Sequence, residues 1–74
     1  MSRLPSLTAK EVVRALKKAG FEEERQRGSH LRMGHPGTNR ITVVPMHLGD
    51  IHRSLLKEII KQAGLSEDEF REVL

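Results

Sequence analysis

The apolar residues near the start of the chain fall at helical spacing. Ala9, Val12, Val13 and Leu16 form one stripe, and Lys10, Arg14, Lys17 and Lys18 fall on the opposite side. Thr8 followed three residues later by Glu11 is a capping box, so a helix is predicted from Thr8 through Ala19. Gly20 stops it, because glycine takes the left-handed conformation that ends a last turn, and Phe21 can fold back onto that turn. The same pattern recurs in Lys61-Gln62-Ala63-Gly64-Leu65, which reads as a second helix with the same ending. Leu55, Leu56, Ile59, Ile60 and Ala63 form the stripe of that helix. Ser66 and Glu69 then make another capping box, opening a short helix in which Phe70, Val73 and Leu74 anchor the tail.

Between the two long helices the pattern changes to alternation. Leu31 and Met33 fall on one side of a strand over residues 30–34, with His30 and Arg32 on the other. Ile41-Thr42-Val43-Val44 is the strongest strand signal. It spans Arg40 to Val44 and reads as the central strand, with Pro45 ending it or marking an edge. Residues 22–27 make a third strand with poor local propensity, because Glu22-Glu23-Glu24 is not a strand-forming run. Gly28-Ser29 suits the two central positions of a tight hairpin, and Pro36-Gly37 makes a second turn.

These elements predict one α+β domain over residues 1–74, in the order α-β-β-β-α with a short extra C-terminal helix. A three-stranded antiparallel sheet with helices packed on one face buries both stripes and leaves the other face to water. That element order and exposed face resemble the double-stranded RNA-binding domain.

The composition narrows the function. The net charge is +3. Residues 66–74 carry four carboxylates against Arg71, a net of −3, so the remainder is +6. A basic body of that kind favours a polyanion, and nucleic acid is the commonest one. With two Phe, no Trp and no Tyr, base stacking on exposed aromatics is not the expected mode of binding. The absence of cysteine excludes a disulfide framework and a thiolate metal site. The start Met1-Ser2-Arg3-Leu4-Pro5 offers no apolar run of the signal-peptide kind, and no stretch of membrane-spanning length follows. A cytoplasmic protein without membrane attachment or small-molecule cofactor is expected.

One cluster carries chemistry. Arg25 and Arg27 share a strand parity, and a tight turn at Gly28-Ser29 brings them beside His30 and Arg32 on the outward face. An imidazole among three guanidinium groups repels itself and does little for stability, yet it suits RNA cleavage. The ribose 2′-OH supplies its own nucleophile, a histidine moves the proton, and arginines fork onto the phosphate oxygens. No metal is needed for such a reaction. The bland alternative is a surface histidine of no consequence at the start of a strand. His30, His35, His47 and His52 match no standard zinc spacing, so no metal site is expected. His47, just past Pro45, reads either as a second acid–base group or as a loop-holding residue. His52 and Arg53 either meet a phosphate at a helix start or simply begin the helix.

The runs Ala19-Gly20-Phe21 and Arg25-Gln26-Arg27-Gly28-Ser29-His30 resemble the N-terminal half of HicA toxins. Val44-Pro45-Met46-His47, Leu55, Ile59, Lys61-Gln62-Ala63-Gly64-Leu65-Ser66 and Glu69-Phe70 resemble the C-terminal half. The resemblance runs from Thr8 onward. It implies a fold akin to the double-stranded RNA-binding domain, metal-independent cleavage of mRNA, His30 as catalytic residue, and a HicB-like antitoxin that covers the active face. Gly28 and Ser29 match the motif around the histidine and are assigned to shaping its turn. The sequence departs from the family at Glu22 and Glu24, where an apolar residue is usual on the inward face. Either the first strand is a frayed edge, or its register sets these carboxylates at the periphery.

The rival function is a non-catalytic RNA-binding module of the same fold. It would use Lys10, Arg14, Lys17, Arg53 and Lys57 on the helices against phosphates and 2′-OH groups. A pure protein-interaction module is a third class, less suited to so basic a body.

Overall fold

The computed structural model describes residues 3–74. Met1 and Ser2, part of the start read for a signal peptide, lie outside the described residues. The element order is α1 (Ala9–Lys18), β1 (Glu22–Arg27), β2 (His30–Gly34), β3 (Ile41–Pro45), α2 (Arg53–Gln62) and α3 (Glu67–Glu72). This is an α+β fold around an open three-stranded antiparallel sheet of order β1-β2-β3.

Local chemistry explains the helix ends. Thr8 caps α1, and the Glu11 carboxylate accepts from the Thr8 backbone N–H at 2.9 Å. These bonds, the backbone one foremost, hold the Glu11 carboxyl below its ordinary value, with Arg14 adding a smaller pull and slight desolvation opposing. At the other end the Phe21 N–H reaches the Leu16 carbonyl at 2.9 Å and the Gly20 N–H reaches Lys17 at 3.0 Å. This double closure needs the positive φ of 102° that Gly20 adopts, and it tucks Phe21 into the core. Gly64 and Leu65 close α2 in the same way.

The core lies between the helices and one face of the sheet. Leu31, Met33 and Val44 are buried from the sheet, and Val12, Leu16, Leu56, Ile59 and Ile60 from the helices. Thr42 is also fully buried; its hydroxyl proton is shared between the Ile59 carbonyl at 3.1 Å and Gln62 Oε1 at 3.2 Å. Phe70 of α3 is among the most deeply buried side chains. Leu4 and Leu7 join the core as well, although no periodic pattern marks them. Their segment is held by the Leu7 carbonyl accepting from Ile51 N–H at 2.8 Å, and by Arg53 donating to the Leu4 carbonyl at 3.1 Å.

Four expectations change. Leu74 stays exposed, so Phe70 and Val73 alone anchor the tail. The central strand is β2, not β3; β3 is an edge, which is why it ends in a proline that lacks an N–H. Leu55 leaves the buried stripe of α2 and stays 38% exposed beside Val43, also 38% exposed. On β1 the alternation shifts, because a bulge between Glu23 and Arg25 inserts one residue. Glu23, paired with Met33, therefore lies on the helix side, where it meets Lys17 at 2.6 Å. Glu24 turns to the open face and pairs with Arg32 at 3.0 Å, its carboxylate lying where a side chain on Gly34 would stand.

All six residues of β1 are exposed. The helices pack over β3 rather than over β1. A strand outside the helix layer needs no apolar face, and backbone pairing to β2 holds it in place. Its charges also discourage edge-to-edge association.

Candidate active site

The open face of the sheet is built around the first hairpin. Gly28 takes a φ of 58° in the two-residue turn with Ser29, a conformation glycine adopts without steric cost. The turn sets Arg27 directly opposite His30, and Arg25 opposite Arg32. Side chains at such opposed positions have Cβ atoms about 5 Å apart. On the other side His30 pairs with Pro45 and Arg32 with Val43. His30 is exposed and makes no hydrogen bond among the described residues, so neither ring nitrogen is committed to a protein partner.

Of the three arginines expected around His30, Arg25 and Arg27 carry no ion pair among the described residues, while Arg32 is engaged by Glu24. Such an exposed pair contributes about 0–1 kcal/mol and exchanges readily with a competing anion. The cluster therefore keeps its net positive character nearest the histidine.

The remaining candidate cations lie elsewhere. Lys10 borders the loop that follows β3, Arg14 lies beside the C-terminal Val73 and Leu74, and Lys17 is held by Glu23 at the rim. Arg53 directs its guanidinium to the Leu4 carbonyl and so ties the N-terminal segment to α2. His52 caps α2, its Nδ1 bonded to Ser54 Oγ at 2.9 Å.

His47 and His30 line different hollows. Met46 N–H bonds the Ser29 carbonyl at 2.5 Å and pins the loop to the hairpin end. His47 itself borders a depression with Lys10, Met46 and Leu48, and its Nδ1 bonds the Leu48 carbonyl at 3.2 Å. His35 holds the β2–β3 loop, accepting from the N–H groups of Gly37 and Thr38 at 3.0 and 3.2 Å, and its ring stands edge-on to Phe21. No group of three or more His, Asp or Glu among the described residues is placed to hold a metal ion. No helix among them is long and apolar enough to cross a membrane.

Sequence reasoning missed Glu24 as a neighbour of Arg32, because a bulge inside a charged run leaves no periodic trace. It also missed Val43, Leu55, Glu58 and Gln62, which border His30 across β3. The i, i+3, i+7 spacing of Leu55, Glu58 and Gln62 was the available signal.

The family model described as "HicA toxin of bacterial toxin-antitoxin" matches residues 9–65. The class of protein that this fold and site define is thus a toxin of bacterial toxin–antitoxin systems. Within that class the chain belongs to the HicA toxin family. The matched span holds α1, all three strands, α2 and the whole His30 face; α3 lies beyond it. Comparison with curated proteins finds no matching relative.

Proposed function

We propose that this HicA-family chain is a metal-independent endoribonuclease that cleaves mRNA in the cytoplasm and is held silent by a HicB-like antitoxin. The observation that carries this reading is the exposed, unbonded His30 imidazole set directly across the ladder from Arg27 on the open face. His30 takes the proton of the ribose 2′-OH as that oxygen attacks the adjacent phosphorus. Arg27 and Arg25 meet the negative charge that builds on the non-bridging oxygens, and Arg32 joins them when the phosphate displaces Glu24. The bond to the 5′-oxygen breaks, that oxygen takes up a proton from solvent water, and a 2′,3′-cyclic phosphate remains. The nucleophile belongs to the substrate and the countercharge is supplied by side chains, so the chemistry calls for no metal.

The test compares the purified wild type with His30→Ala on RNA in the presence of a chelator. Cleavage should fall about 10²–10⁴-fold, the usual contribution of a positioned proton-transfer group. A folded His30→Ala protein that cuts at the wild-type rate sinks the assignment. The non-catalytic RNA-binding alternative is weakened by the tie of Arg53 to the Leu4 carbonyl, which turns one cation of its surface inward.

A further inference from the structure

Beside His30 lies a hollow that the cleavage chemistry leaves unused. It has a volume of about 250 Å³ and runs between β3 and α2. Val43 and Pro45 form one wall, Leu55 and Ile59 the other, and Glu58 and Gln62 supply its polar groups. Two large apolar side chains, Val43 and Leu55, stay 38% exposed here although each belongs to an element with a buried face.

We propose that this hollow is a base subsite of the RNA substrate, accepting one nucleobase that carries an exocyclic amine next to the phosphate at His30. The inference rests on the cleavage reading above. Sharing His30 ties the two together, since a phosphate at the imidazole brings its neighbouring base to this hollow. The volume falls below the roughly 300–1,000 Å³ of sites for drug-sized ligands and suits a single ring system. The apolar walls offer contact to the faces of a base, in a chain with no Trp or Tyr to stack on. The polar groups then read its edge. Gln62 turns Oε1 to the Thr42 hydroxyl at 3.2 Å, leaving its Nε2–H₂ free to donate. Glu58, which forms no ion pair or hydrogen bond among the described residues, can only accept when ionised. An amine gives a hydrogen to Glu58 while the adjacent unprotonated ring nitrogen, N3 of cytosine or guanine and N1 of adenine, accepts from Gln62. Uracil lacks the amine: its one ring N–H is flanked by carbonyl oxygens on both sides, so a carboxylate that accepts from it also meets a carbonyl oxygen of like polarity. The same negative charge repels phosphate, so the base and not the backbone enters.

The experiment uses the wild-type chain and 2′-O-methyl pentamers, which lack the attacking hydroxyl and cannot be cut. One pentamer is all uridine; the others carry a central guanosine, adenosine or cytidine. Each amine-bearing centre should bind at least about fivefold more tightly than the all-uridine pentamer, the low end of discrimination by a good edge contact. It should also shift the methyl resonances of Val43 and Leu55. Glu58→Gln, an exposed substitution, should reduce the difference to within about twofold. Equal affinity for all four, or shifts that miss Val43 and Leu55, overturns the subsite. Base-dependent binding by a chain that cuts no RNA refutes the cleavage reading alone; His30-dependent cutting without base-dependent shifts refutes the subsite alone.

Discussion

Phe70 offers the sharpest test of whether α3 belongs to the core, since this helix lies beyond the residues matched by the HicA family. Its ring has 0% exposure, among the largest buried side chains of the chain. Truncating a fully buried phenylalanine to alanine costs about 3–5 kcal/mol, through lost transfer energy and the cavity left behind. A chain of 74 residues, at roughly 0.05–0.15 kcal/mol per residue, has about 4–11 kcal/mol in total. Phe70→Ala should therefore remove between a quarter and all of the stability. Urea unfolding followed by circular dichroism measures it. With a slope of about 1 kcal/mol per molar for so small a chain, the midpoint should fall by about 3 M or the protein should already be unfolded. Leu74→Ala, at a position 43% exposed, serves as the comparison and should change stability by no more than about 0.5 kcal/mol. If the Phe70→Ala midpoint falls by less than about 1 M at unchanged slope, α3 is an appendage and its burial has been overvalued.

Arg32→Gln should leave stability within about 1 kcal/mol and flatten the salt dependence of single-stranded RNA binding by roughly 0.7 in logarithmic slope. An unchanged slope would show that Arg32 meets no phosphate. Gly28→Ala meets nothing within 4 Å, so its cost is purely that of the left-handed backbone, about 1–2 kcal/mol. Gly28→Asn should recover most of that loss in both unfolding midpoint and cleavage rate, and failure of that rescue would point away from backbone conformation. Glu11 has a lowered folded-state pKa, so its stabilisation is full at neutral pH and is lost as pH falls through the ordinary glutamate range and then the lowered value. The wild type should accordingly lose its advantage over Glu11→Gln on acidification, whereas parallel urea midpoints from pH 7 to 3 would count against this linkage.

The parts of the fold that were readable in the sequence are those set by neighbours in the chain. Thr8 with Glu11, Ser66 with Glu69, and the glycine closures at Gly20 and Gly64 each depend on contacts within a few residues. Leu31 and Met33 gave the facing of β2, and with it the outward direction of His30, because a two-residue period leaves no other choice. What was not readable depends on where layers end. Leu55 sits on the apolar stripe, but it borders the open hollow beside Val43 and Pro45 and stays partly exposed. Glu22-Glu23-Glu24 argues against a strand by propensity, yet β1 forms because the ladder with β2 is satisfied without burial. Leu4 and Leu7 are fixed by bonds to Arg53 and Ile51, 49 and 44 residues away, and no local pattern records that.

The bulge on β1 separates two properties that a regular strand would bind together. The residue opposite Arg32 in the ladder is Arg25, and pairing continues with Glu23 opposite Met33. Glu24 is an extra place in the strand, with its side chain delivered to the open face but no partner position of its own. Whatever stands there can change charge, size or polarity without shifting any other residue from one face to the other. The chain thus holds a tuning position beside its arginines whose occupant can vary while the register of the sheet stays fixed.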